Sequence, residues 1–337
     1  MKIFECPNCN APVFFENTTC QYCNTNLGYN PLLEKFEIPN GSGANAAKYC
    51  ANHHWGVCNW FVDTNSDYCI ACSLNRIVPD RSQVDYFGKW QKLENAKHRL
   101  IYQLLKLKLP VKSKMIHDNG VAFDFLSENN DKKAVTGHAH GVVTIILNEA
   151  DSVNREQIRK QMDEPYRTLI GHFRHEIGHY YWTLLFNDSN MESYRNLFGD
   201  ERLDYGKALE NHYKNGPPNG WHQNFISQYA SSHPWEDWAE TWAHYLHIMD
   251  TLQTANSFGV CFDPEAPYVQ QLVVDRCVDP YITHDFQEIF KGSVALTCSS
   301  NSLNRSMGLP DIYPFVVPGK VVEKLTFIHN LLKTEIS

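Results

Sequence analysis

Apolar residues recur at three- and four-residue steps in several stretches of the chain, and this spacing predicts amphipathic helices. In the first stretch, residues 85–109, the residues Trp90, Leu93 and Leu100 share one face, and Pro110 ends the pattern. Further helices are predicted, in chain order, at residues 152–162, 165–186, 201–213, 234–252 and 317–332. Two shorter runs, residues 121–126 and 142–147, have the β-branched and aromatic content of strands. The pattern predicts an α+β protein that is mainly helical with a small sheet.

The N-terminal part of the chain lacks this periodicity and is rich in cysteine, holding eight of the 11 cysteines. The first four form two CxxC pairs separated by ten residues: Cys6, Cys9, Cys20 and Cys23. Two such pairs can present four thiolates tetrahedrally to a zinc ion. A segment of this size with little aliphatic content buries little core, so zinc is expected to hold its fold together.

A second group of four cysteines follows, and its spacing is less regular. Its members are Cys50, Cys58, Cys69 and Cys72. The ten residues between Cys58 and Cys69 repeat the gap between the first two pairs, which favours a second four-cysteine zinc site. His53 stays open as an alternative to Cys58, because Cys50 and His53 form a CxxH pair. The predicted domains are a zinc-ribbon module with two zinc sites, residues 1–78, and a second domain, residues 79–337.

The predicted helix at residues 165–186 carries the motif HExxH. Its residues are His175, Glu176 and His179. Two histidines four residues apart lie on one face of a helix, so both imidazoles can bind one zinc ion. Glu176 projects beside the metal and can take a proton from a zinc-bound water. The motif therefore predicts a catalytic zinc site.

A catalytic zinc needs a third protein ligand, which the residues directly after the motif do not supply. The best candidate is Glu236, in the helix predicted at residues 234–252, where it shares a face with Glu240. We expect Glu236 to bind zinc and Glu240 to accept the outer N–H of His175 or His179. The rival ligands are Asp237, His233 and His244.

Charge and composition narrow the classes of partner. Thirty basic and 38 acidic residues give a net charge of −8, which disfavours a nucleic-acid binder for the whole chain. The helix at residues 85–109 is locally basic, and its basic residues are expected on a solvated face. No segment has the length and apolar character of a membrane span, and the N-terminus lacks a signal-peptide pattern, so a cytoplasmic location is expected.

The spacing of the two helical motifs resembles that of gluzincin metallopeptidases. Glu236 lies 57 positions after His179 and opens the sequence Glu-Asp-Trp-Ala-Glu, which is similar to the corresponding helix of the anthrax lethal factor group. In that group, a tyrosine seven residues before the ligand glutamate supports the oxyanion. The resemblance assigns this role to Tyr229, with Tyr213 and Tyr245 as competitors.

The whole chain resembles a bacterial family of zinc-binding metallopeptidases with an N-terminal zinc ribbon. The resemblance rests on the CxxC pairs, on GHFRHEIGHYYW with HPWEDWAETWAHYLH, and on the tail LNRSMGLPDIYPF. It implies a mainly helical gluzincin-like domain that cleaves a peptide or protein substrate, with one catalytic and two structural zinc ions. Two alternatives stay open. One is an interaction protein whose ribbons bind protein or nucleic acid and whose HExxH zinc is structural. The other is a zinc hydrolase of a non-peptide amide.

Overall fold

The computed structural model describes residues 1–39, 47–63, 65–127, 135–162, 164–263 and 278–335. The Cα positions divide the chain into two units, Met1–Gln157 and Ile158–Ser337. The domain boundary expected from the sequence, after residue 78, falls inside the first unit and stays a prediction.

Short antiparallel hairpins form the N-terminal part of the first unit. They pair β1 with β2, β3 with β4 and β5 with β6. In chain order the strands are Phe4–Glu5, Pro12–Val13, Gly28–Asn30, Lys35–Glu37, Lys48–Tyr49 and Phe61–Val62. Strands of two or three residues supply few ladder hydrogen bonds, so side chains must hold the hairpins together. Buried aromatic rings do part of this, because the ring centroid of Phe15 lies 5.1 Å from that of Tyr29 and 5.9 Å from that of Trp60. The small core of this segment is therefore aromatic rather than aliphatic.

A four-stranded mixed sheet completes the strand structure of the first unit. Its strands are β7 (Asn75–Ile77), β8 (Ala122–Leu126), β9 (Gly137–Ala139) and β10 (Val142–Ile146), in the order β7-β8-β10-β9. Strand β8 runs parallel to both β7 and β10, and β9 pairs antiparallel with β10. The two predicted strands are confirmed as β8 and β10, which lie at the centre of the sheet.

Helix α1 spans Val84–Lys106, close to the prediction, but its buried face includes charged side chains. Glu94 and Lys97 are completely buried, and Oε2 of Glu94 lies 2.8 Å from Nζ of Lys97. Lys97 also donates to the side-chain carbonyl of Asn75. The interpretation that the basic residues of this helix face solvent is wrong for Lys97, because these two partners replace water around its ammonium group.

Helices are the main elements of the described part of the second unit. Helix α2, Ser152–Gln161, crosses the boundary between the units; the six that follow are α3 (Leu169–Leu185), α4 (Met191–Phe198), α5 (Tyr205–Asn215), α6 (Pro234–Ser257), α7 (Phe286–Ser306) and α8 (Gly319–Glu335). Helix α6 is the central element, since α3, α4, α7 and α8 all pack against it. Trp238 and Trp242 are fully buried in α6 and fill the space between these helices.

Capping residues explain where two of these helices begin. Helix α3 begins at Leu169 rather than residue 165, because the Thr168 hydroxyl accepts a backbone N–H of the first turn. Helix α5 begins at Tyr205 rather than residue 201, because the Asp204 carboxylate does the same. The predicted helices are otherwise confirmed, and the predicted α+β class holds for the described chain. In that part of the chain, no helix combines the length and apolar character that crossing a membrane requires.

Candidate metal centres

Helices α3 and α6 approach each other closely enough to bring the HExxH motif against Glu236. Gly178 allows this approach, because a Cβ at that position would lie 3.2 Å from Cα of Ala239 and 3.1 Å from the Trp242 ring. A glycine inside a helix costs some helical stability, and here it provides close packing.

Three donor atoms from the two helices converge. Nε2 of His175 lies 3.1 Å from Oε2 of Glu236 and 3.2 Å from Nε2 of His179, and the third distance, from His179 to Glu236, is 3.5 Å. A tetrahedral zinc site with ligand bonds of about 2.0–2.1 Å has edges of about 3.3 Å. The three distances therefore fit zinc without rearrangement.

The electrostatics of this cluster also fit a cation. Burial raises the pKa of Glu236, but the neighbouring imidazoles outweigh burial and hold it well below its usual range. Burial opposes protonation of His175, but hydrogen bonds to Glu236 and Glu240 outweigh it and raise its pKa well above the usual value. Oε2 of Glu236 is buried and faces the two imidazoles. The pocket thus favours positive charge at the point where the three donors meet.

Glu240 lies behind His175 rather than behind His179. Its Oε1 is 2.7 Å from Nδ1 of His175, and its Oε2 accepts the hydroxyl of Ser227 at 2.7 Å. The hydrogen bond to His175 lowers the pKa of Glu240 to about 2 in spite of its burial. In the neutral form of His175 that binds a metal, the proton is on Nδ1, where the carboxylate accepts it, and the lone pair of Nε2 points into the cluster.

Two tyrosines border the three donors. The hydroxyl of Tyr205, at the start of α5, donates to Oε1 of Glu236 at 2.7 Å. The ring of Tyr229 lies 6.0 Å from that of His175, between centroids. Burial, and then the charge of Glu236, raises the pKa of both phenols, so both keep their protons at neutral pH.

Glu176 directly follows His175 in α3 and is half-buried. Its charge is one of the causes that raise the pKa of Tyr205 and of Tyr229. The carboxylate of Glu176 therefore lies next to the cluster and is distinct from that of Glu236, which is one of the three donors. Of the two competitors to Tyr229, Tyr245 bonds to His329 at 3.0 Å in the buried core, and Tyr213 is 61% exposed.

The rival ligands have other partners. Asp237 forms a buried ion pair with Lys324 at 2.6 Å, and burial raises the pKa of Asp237 to about 7 in spite of that cation. His233 caps α6, because its Nδ1 accepts the backbone N–H of Trp235. His244 accepts the Tyr313 hydroxyl at Nδ1, at 2.5 Å.

The two groups of cysteines lie in the first unit, and each brings four sulfurs together. The first group is Cys6, Cys9, Cys20 and Cys23, and the second is Cys50, Cys58, Cys69 and Cys72. The Sγ–Sγ distances are 3.7 Å for Cys6–Cys23, Cys9–Cys20 and Cys58–Cys69. A zinc ion with bonds of about 2.3 Å to sulfur has tetrahedral edges of about 3.75 Å. The sulfur spacing therefore fits zinc in both groups.

His53 lies outside the second group of sulfurs. Its Nδ1 is 2.9 Å from the backbone carbonyl of Cys58, and its ring stacks on Tyr49 with 3.7 Å between centroids. Of the two candidates left open by the sequence, the structure groups Cys58 with the other three cysteines.

Comparison with known proteins identifies the family. The sequence model of a family described as "Putative zinc-binding metallo-peptidase" matches residues 86–331. The chain belongs to this family. A zinc-ribbon domain model matches residues 3–83, so a zinc-binding N-terminal region is confirmed. Uncharacterized proteins of Mycobacterium bovis and Mycobacterium tuberculosis are each 42% identical to it over 338 residues, covering 98% of this chain and 95% of theirs. No solved structure matches the chain.

In this member of the family, two residues of the cluster were missed by the sequence analysis. Tyr205 lies 31 positions before Glu236, and Ser227 lies 13 positions before Glu240. Neither spacing is a helical or strand period, because separate elements carry the partners. The only available signal for Tyr205 is its position directly after Asp204, a good helix cap.

Proposed function

We propose that the chain is a zinc-dependent peptidase of the gluzincin type, with His175, His179 and Glu236 as the zinc ligands. The observation that carries this proposal is the geometry of the three donors, whose spacing matches zinc. Within the described residues this group has three members, one fewer than each cysteine group. Three protein ligands with one free position are typical of catalytic zinc, whereas four ligands are typical of structural zinc. Membership of a metallopeptidase family agrees with this assignment.

Glu176 is the proposed general base. A zinc ion held by these ligands would acidify a water molecule and polarise the substrate carbonyl. Glu176 takes a proton from the attacking water and returns it to the leaving amine. Its half-buried position beside the donors supports this role, since it stays within reach of solvent and substrate.

The surrounding residues have supporting roles in this proposal. Tyr229 keeps its proton and donates a hydrogen bond to the oxyanion of the tetrahedral intermediate. Tyr205 fixes the carboxylate of Glu236 through Oε1 and leaves Oε2 directed at the two imidazoles. Glu240 fixes the ring and the tautomer of His175.

We propose one catalytic and two structural zinc ions for each chain. The sulfur spacing in both cysteine groups supports the two structural ions. The substrate would be a peptide or protein. A protein partner for the ribbons and a cytoplasmic location stay predictions from the sequence.

The principal test compares the wild type with Glu176→Gln on a peptide library, after the zinc content of both proteins has been measured. We expect about three zinc ions in each protein and a loss of cleavage of about 10²–10⁴-fold in the variant, because only proton transfer is removed. Glu192→Gln is the matched control, since Glu192 is an exposed residue of α4 and its variant should cleave normally.

Each contrary outcome points to a particular alternative. Equal cleavage by wild type and Glu176→Gln would overturn the proposed role of Glu176. Three zinc ions without cleavage of any peptide by the wild type would favour the interaction protein, whose HExxH zinc is structural. Hydrolysis of small amides but not of peptides would favour the hydrolase of non-peptide amides.

A further inference from the structure

A histidine from helix α1 points at the second cysteine group. His98 is buried, and its Nε2 lies 3.3 Å from Sγ of Cys58 and 3.8 Å from Sγ of both Cys69 and Cys72. No sequence spacing predicts this contact, because His98 lies 26 residues after Cys72, the last of these cysteines. It also lies beyond the part of the chain that matches the zinc-ribbon domain, residues 3–83.

The distances from His98 are those of a coordination tetrahedron. With zinc bonds of about 2.3 Å to sulfur and about 2.05 Å to nitrogen, the sulfur–nitrogen edge is about 3.5 Å. The three observed distances lie on both sides of this value. Cys58, Cys69 and Cys72 therefore form a triangular face with two candidates for the fourth corner, Cys50 and His98.

The ring of His98 is held in the orientation that a ligand needs. Its Nδ1 lies 2.7 Å from the backbone carbonyl of Glu94, which can only accept a hydrogen bond. The proton of a neutral ring is therefore on Nδ1, and the lone pair of Nε2 faces the sulfurs. His175 has the same arrangement with Glu240, where the acceptor is a carboxylate instead of a carbonyl.

A buried network fixes the segment of α1 that carries this ring. Oε1 of Glu94 accepts Nε1 of Trp90 at 3.0 Å and Nδ2 of Asn75 at 2.6 Å, and its Oε2 pairs with Lys97. The Glu94 carboxylate also lies near Cys72 and His98, but it is engaged by these three partners, whereas Nε2 of His98 faces three sulfurs. His98 is thus the donor that α1 offers to the sulfur face.

We propose that His98 is a zinc ligand of the second cysteine site and shares the fourth coordination position with Cys50. Zinc then connects the ribbon to α1 as well as closing the ribbon itself. Within the described residues, the first cysteine site has no additional candidate ligand of this kind, since its group consists of four cysteines. The two ribbon sites should consequently respond differently to the loss of one thiolate.

The test measures the zinc content of single and double variants of the full chain and does not depend on peptidase activity. We expect Cys50→Ala and His98→Ala each to keep the zinc of the second site. Cys58→Ala removes part of the triangular face, and the double variant Cys50→Ala/His98→Ala removes both candidates for the fourth corner, so each should lose about one zinc per chain. Cys50→Ala/His53→Ala is the matched control and should retain zinc, since His53 is directed at a backbone carbonyl.

Two results of these zinc measurements would overturn the proposal. One is a Cys50→Ala variant that loses zinc as Cys58→Ala does, whether by misfolding or by weaker binding. The other is a double variant with His98→Ala that keeps zinc as fully as Cys50→Ala alone. The Cys50→Ala variant gives an independent readout: with ¹¹³Cd in place of zinc, the ¹⁵N resonance of His98 Nε2 should show coupling to the metal. Absence of that coupling would also overturn the proposal.

Discussion

The cysteine sites and the histidine–glutamate site differ in how their donors are brought together. Each cysteine group draws its four thiolates from neighbouring hairpins and turns of one short segment. The other group takes two imidazoles from α3 and a carboxylate from α6, which begins about fifty residues after α3 ends. The hairpin segment supplies four thiolates to each cysteine site, whereas the other site depends on two helices packing at the right distance. Four donors close a site, and three donors with Glu176 beside them leave room for chemistry.

Zinc removal should separate the two regions most strongly. A strong chelator is expected to unfold the cysteine hairpins and leave α3 and α6 folded, because the helices bury a large core whereas the hairpins bury only a small aromatic one. Structural zinc in small domains supplies about 10–16 kcal/mol of folding free energy. Hydrogen exchange followed by mass spectrometry should show lost protection in residues 1–39 and retained protection in residues 169–185. His179→Ala is the control, since it removes a ligand of the histidine–glutamate site only and should keep protection in residues 1–39. Equal loss of protection in both segments after chelation would contradict the expected difference between the two regions.

Tyr229→Phe should lower kcat by about 10²–10³-fold with little change in KM, because one donor to the oxyanion is removed. Zinc content should stay unchanged, since Tyr229 is not among the donors. Steady-state kinetics on a cleaved peptide measures this, with Tyr213→Phe as the control at an exposed position. A KM effect without a kcat effect would indicate that Tyr229 binds substrate instead.

Glu240→Gln should weaken zinc binding at the histidine–glutamate site by about 10–100-fold and leave the cysteine sites unaffected. The reason is that Glu240 holds the tautomer and the orientation of His175. Competition with a chromophoric chelator measures the effect, and Ser227→Ala should show the same change at a smaller size. Unchanged zinc affinity in both variants would show that Glu240 does not support zinc binding.

Gly178→Ala should have a smaller effect that is confined to the second unit. The added Cβ lies within 3.2 Å of the α6 backbone, so the two helices must separate by a few tenths of an ångström. We expect a loss of about 1–2 kcal/mol in the free energy of unfolding and weaker zinc binding, in spite of the better helix propensity of alanine. Denaturant titration of the zinc-loaded protein measures it. A more stable variant with unchanged zinc affinity would show that the helix spacing tolerates the methyl group.

Much of this arrangement could be predicted from sequence because several of its signals are local. The CxxC pairs and the HExxH motif each place donors within one turn or one knuckle. Glu236 and Glu240 share one helix face by the same rule. The placement of Glu236 and Glu240 against α3 could be predicted only from the family resemblance. No helical or strand period connects Glu236 with His179, which lies 57 positions before it.

What the sequence did not reveal depends on tertiary packing. Hydrophobic periodicity assigns polar residues to the solvated face, so the buried side chains of Glu94, Lys97 and His98 in α1 could not be recognised. Helix α7 was not predicted, since its second half is rich in serine and asparagine, which are typical of loops. Tyr205 reaches Glu236 only because α5 folds back toward the start of α6.

The difference between the cysteine sites with four donors and the histidine–glutamate site with three can be tested directly. The measurement is anomalous X-ray diffraction at the zinc edge from crystals of the protein as purified. Three zinc peaks are expected for each chain. Two should be enclosed by four protein donors, and the third should be held by His175, His179 and Glu236 with one position free of protein. A third site closed by a fourth protein ligand, or no peak between α3 and α6, would contradict this expectation.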